Sequence, residues 1–181
     1  MDIITDLFSH ICGQGRCFIV DGRALPICQR CLGLYVGAAL TGGWMVATGL
    51  WRRGLPGREV VLLHIVVLLT AMIGGLHLID LGPRWRMLCG LWTGHVALLW
   101  LVGGASAIYY FPRKPKSTWH RGHQIQAWII LGALTVLGVI FPRLTWPGPT
   151  FWIFLVVLGL LFLAAAFVAA IAAMIRWCWK R

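Results

Sequence analysis

The amino-acid sequence predicts an all-α integral membrane protein of about five transmembrane helices, N-terminus outside and C-terminus inside, with a small cysteine-rich hairpin head. Composition, hydrophobic run length and charge placement each point there. The 181 residues are 60% apolar and 12% charged and include 11 tryptophans, whereas a soluble domain is about half apolar and a quarter charged. A spanning helix needs roughly 20 predominantly apolar residues, because no water inside the bilayer satisfies an open backbone. Five stretches free of Asp, Glu, Lys and Arg meet that need: 31–51, 60–79, 88–111, 125–141 and 151–175.

The head, residues 1–30, comes first. Its first ten residues lack the basic start and long apolar core of a cleavable signal, so it is expected to cross with the first helix. Within it, Ile3, Ile4, Leu7 and Phe8 share one face of a short interfacial helix. Cys12, Cys17, Cys28 and Cys31 follow in the spacing Cys-x4-Cys-x10-Cys-x2-Cys. Asp21-Gly22 between apolar residues is a hairpin signal that folds Cys17 back towards Cys28, with Cys31 one turn further on. Four thiols so arranged fit a tetrahedral zinc site, with His10 as a substitute ligand. They also suit two disulfides stapling a head too small to have a core, or a redox-cycling pair.

The spans are joined by short turns rich in Gly, Pro and Arg, such as 52–58 and 112–116. Residues 31–176 therefore form one five-helix membrane domain, and 177–181 a basic cytoplasmic tail. Of 16 cations, ten fall on one face: Arg52, Arg53 and Arg58; Arg113, Lys114, Lys116 and Arg121; Arg176, Lys180 and Arg181. The other face holds Arg16, Arg23, Arg30, Arg84, Arg86 and Arg143, offset by Asp2, Asp6, Asp21 and Asp80. Because Lys and Arg are retained in the cytoplasm, this bias places the C-terminus inside, as an odd number of spans requires. A multi-pass protein of the cell (inner, cytoplasmic) membrane is expected, its basic loops touching anionic lipid head groups and not nucleic acid.

Arg16, Arg30, Asp80, Arg84 and Arg86 all map near helix ends on the outer face. Ionisable groups at a bilayer boundary suit an anion pocket for a lipid phosphate or a carboxylate. The plainer alternative is that Asp80 pairs with one arginine while the others snorkel to head groups. His64 and His77 lie in the second span and His95 in the third. Intramembrane histidines can ligate haem or relay protons, but His77 and His95 sit at about 5 and 12 Å depth, poorly matched as axial ligands. Interhelical hydrogen bonding is the expected role. Gly33-x-x-x-Gly37, Gly90-x-x-x-Gly94 and the alanines from 164 to 173 give small faces for close packing. Trp51, Trp85, Trp146, Trp152, Trp177 and Trp179 flank the spans as interface anchors. Cys89 reads as a packing residue, and Cys178 lies on the face away from the head.

The stretches Cys12-Gly-Gln14-Gly-Arg16 and Leu25-Pro26-Ile-Cys28-Gln-Arg30-Cys31-Leu-Gly33-Leu-Tyr35-Val-Gly37 resemble the signature of the domain-of-unknown-function family 2085, small membrane proteins of bacteria and archaea. Asp80-Leu-Gly82 and the segment from Arg84 to Gly94 are similar to a second block of that family, so the resemblance covers about the first 95 residues. The family's histidine after the first cysteine is Gly13 here, and Cys17 stands where the family more often has serine. If the family site is three cysteines and one histidine, the resemblance implies that one ligand is traded for another and four donors remain. It implies no activity. The expected function is a ligand-binding protein or accessory subunit of a membrane complex, with a structural zinc or disulfide head over an arginine-lined pocket. The competing enzyme reading is a thiol oxidoreductase coupling Cys28 and Cys31, Cys12 and Cys17 to quinone, with Arg30 as the nearby cation.

Overall fold

The computed structural model describes residues 17–20, 23–75, 82–110, 119–140 and 149–179. Strand β1 (Cys17–Val20) pairs antiparallel with β2 (Arg23–Cys28) on either side of the Asp21-Gly22 position. Val20 faces Arg23, Ile19 faces Ala24 and Phe18 faces Leu25, and the register then slips so that Cys17 faces Cys28. The slip falls at Pro26, which has no N–H to give the ladder.

The chain passes directly from β2 into α1 (Gln29–Thr48), with Cys28 as the N-cap. Gly49 stops α1: its φ of 69° is left-handed, and its N–H reaches Met45 O and Val46 O. A single 3-10 turn, Leu50–Arg52, follows. Then come α2 (Arg58–Gly75), α3 (Pro83–Tyr110), α4 (Arg121–Ile140) and α5 (Pro149–Trp179). Proline opens both α3 and α5, where a missing N–H costs nothing and φ is already helical. The first helix thus stops short of Trp51, and α3 starts early enough to carry Arg84 and Arg86 within its first turn.

α3 touches each of the other four helices. Gly33 packs on Met87 and Gly37 on Leu91, so α1 and α3 run in the same direction; Gly159 on Tyr35 and Ala166 beside Ala38 and Leu98 align α5 with them. α2 and α4 run the opposite way, since Val60 packs near Leu99 and Val67 near Val96, while Gly138 meets Leu88 and Ala127 lies near Leu99. The hairpin and the starts of α1, α3 and α5 therefore share one end of the bundle. The turn after α1 and the ends of α3 and α5 share the other.

Leu32, Val36, Met87, Leu91, Leu134 and Val156 fill the main core. The outward faces are also apolar: Leu62, Ile129, Phe154, Leu161 and Val168 are each more than 60% exposed. Such a surface is what a bilayer covers. Among the described residues, Gln29–Thr48, Pro83–Tyr109, Arg121–Ile140 and Thr150–Trp179 are long and apolar enough to cross one. α2, at 18 residues, is about 27 Å long; it opens on Arg58 and Glu59 and is uncharged beyond them.

Candidate functional site

Two facing glycine pairs set the site's position. Gly33 and Gly37 of α1 lie against the Met87 and Leu91 carbonyls, and Gly90 and Gly94 of α3 lie against those of Arg30 and Leu34. A Cβ at any of these four positions would run into the partner backbone, so the helices approach as close as glycine permits. This contact puts the N-terminus of α1 level with that of α3. Cys28, Arg30 and Cys31 are thereby gathered at the same end as Arg84, Arg86 and Cys89.

Cys28 is buried, and its Sγ accepts the Cys31 N–H at 3.5 Å. That contact takes up one of the donors left over at a helix start and sets the sulfur at the positive end of the helix dipole. Cys31 is half-buried against the main core. Arg30, also half-buried, lies near enough to act electrostatically on Cys89, which is buried at 1% exposure in α3. Arg86 is half-buried and Arg84 exposed. Cys178 is exposed at the far end of α5, away from these groups.

His10, Cys12, Arg16, His77 and Asp80, together with the Cys17 side chain, fall outside the described residues. Among the described residues, no three His, Cys, Asp or Glu side chains form a metal-sized group. The hairpin register nevertheless sets the Cys17 backbone opposite Cys28.

A second polar cluster lies deep in the bundle. His64 of α2 and His95 of α3 are 1% and 0% exposed, with ring centroids 5.4 Å apart and planes nearly perpendicular. His95 Nδ1 is 2.9 Å from Thr41 Oγ1 on α1, and Trp100 Nε1 donates to His64 Nδ1 at 3.1 Å. These are the interhelical hydrogen bonds expected from the sequence, joining α1, α3 and α2. The pairing of His64 with His95 was missed. Antiparallel helices bring level those residues that are equally far from their connection, and here the separations from Asp80 are 80 − 64 = 16 and 95 − 80 = 15.

Comparison with known proteins adds one finding. The family model described as a predicted membrane protein, DUF2085, matches residues 12–100, a segment that takes in both glycine pairs, both buried histidines and four of the described or expected site cysteines' positions from Cys12 to Cys31. Neither the curated proteins nor the solved structures yield a match.

Proposed function

Over residues 12–100 the chain belongs to the DUF2085 family of predicted membrane proteins, and on that footing we propose a five-span protein of the cell membrane whose outer end is a zinc-clamped, anion-binding site. Cys12, Cys17, Cys28 and Cys31 hold the metal, with His10 as a substitute ligand. Arg16, Arg30, Arg84 and Arg86 line the pocket beside it, and Asp80 orients one of the guanidinium groups. The protein acts by binding a ligand or as an accessory subunit of a larger membrane assembly.

One observation carries this reading: Cys28 caps α1 with its sulfur, in register with Cys17 and one turn before Cys31. Zinc binds cysteine as thiolate, and cysteines at a hairpin-to-helix junction are spaced to share one metal. The α1–α3 contact supports the pocket, since it brings Arg30 to the same end as Arg84 and Arg86. Two anchored arginines on neighbouring helices offer bidentate contacts to a phosphate or carboxylate.

Metal analysis and a thiol count on the purified protein test the reading. One zinc per chain with four protected thiols is the expected result, and Cys28→Ser with Cys31→Ser should release the metal. Absence of metal, with two disulfides that turn over on adding quinone, would overturn it in favour of the thiol oxidoreductase.

A further inference from the structure

At the end of the bundle away from the cysteines, the last turns of α3 and α5 and the turn after α1 leave a cavity of about 320 Å³. That is the lower end of the range for ligand sites, roughly 300–1,000 Å³. It is lined by Ala105, Ala172 and Ala173 together with Trp51 and Tyr109. Trp51 and Tyr109 each present a ring, and the Ser106 oxygen already accepts the Gly54 N–H at 3.2 Å. The interior therefore offers an occupant little beyond apolar contact.

The rim is different. The Arg52 guanidinium stacks on the Trp51 ring at 4.3 Å, and that of Arg176 on Tyr109 at 4.2 Å. Stacking uses the face of a guanidinium and leaves its N–H edges pointing outward for a phosphate. Both arginines are exposed, and the single acid at this end among the described residues is Glu59. An apolar slot between two aromatic-mounted cations matches one class of molecule: a hydrocarbon chain with an anionic head.

We propose that this groove is a binding site for an anionic phospholipid, with one acyl chain along the lining alanines and the phosphate held between Arg52 and Arg176. The site is independent of the cysteine end and of any metal there. Each surface cation contributes enough attraction that two together should favour an anionic over a zwitterionic lipid by roughly tenfold or more.

Native mass spectrometry of the full chain, released from detergent with phosphatidylglycerol or phosphatidylcholine added, tests the site. One retained phosphatidylglycerol per protein is expected, with that preference. Ala172→Phe should fill the groove and remove the adduct. Arg52→Gln with Arg176→Gln, at two exposed positions, should keep the fold and bring the two lipids to parity. Equal retention of both lipids by the unaltered protein would overturn the proposal. So would a preference that survives the double arginine change, or a dimer that Ala172→Phe disrupts, which would make the groove an interface between copies.

Discussion

Thr41 is shared between two helices. Its hydroxyl is 2.7 Å from Gly37 O, one turn back in α1, and takes the donor role there because a carbonyl can only accept. The oxygen is then left to accept from His95 Nδ1, so His95 carries its proton on Nδ1. Trp100 donates to Nδ1 of His64, which fixes the opposite tautomer on that ring. His95 Nε2 is buried with no hydrogen-bond partner among the described residues. The Thr41 hydroxyl is thus the partner of the buried His95 Nδ1. Thr41→Val keeps the shape and removes the acceptor. It should lower stability by about 1 kcal/mol, the usual scale for such bonds in membranes, read as a lower melting temperature in detergent. Thr41→Ser, which keeps the hydroxyl, should recover most of the loss. A valine variant as stable as the unaltered protein would refute the assignment.

The α1–α3 contact is built from four glycines, and two substitutions separate close packing from helix propensity. Gly94→Ala would drive a Cβ into the Leu34 carbonyl, an overpacking cost of about 1–3 kcal/mol. Gly43→Ala, on the same helix pair but with nothing within 4 Å of its Cβ, should be neutral or gain up to about 1 kcal/mol from propensity. Thermal unfolding of both variants checks this, and equal effects would sink the packing account. Both glycine pairs were legible in the sequence, because a spacing of four puts them on one face whatever the partner. The strand pair was legible too, since Asp21-Gly22 marks a turn from local chemistry alone. What could not be read locally was anything needing a second element. The charge-free stretch runs on to Trp51, just before Arg52, but the left-handed Gly49 ends α1 earlier. Trp51 then serves as a cavity wall against α3 and α5. The alanines of α5 gave packing from composition, and the groove they line emerges only once α3 and α5 are placed side by side.

Across the whole molecule, α1, α3 and α5 run one way and α2 and α4 the other, so the charges in the connections sort by end. Arg52, Arg53, Arg58, Arg121 and Arg176 lie at one end, and Arg30, Arg84 and Arg86 at the end with the cysteines. The spans expected from the sequence divide its 16 cations ten to six in the same sense. Retention of Lys and Arg in the cytoplasm predicts that the first end is the inner one, and the proposed zinc and anion site would then face outward. Cys178, exposed near the last turn of α5, reports the orientation without any mutation. A membrane-impermeant maleimide added to intact cells should leave the peptide containing Cys178 unmodified, and should label it fully once the membrane is opened. Mass spectrometry resolves that peptide from those of the other cysteines, so the result does not depend on whether Cys12, Cys17, Cys28 and Cys31 hold metal. Labelling of Cys178 in intact cells would reverse the orientation, moving the proposed metal site into the reducing cytoplasm. Zinc would survive that reversal, but a structural disulfide head would not.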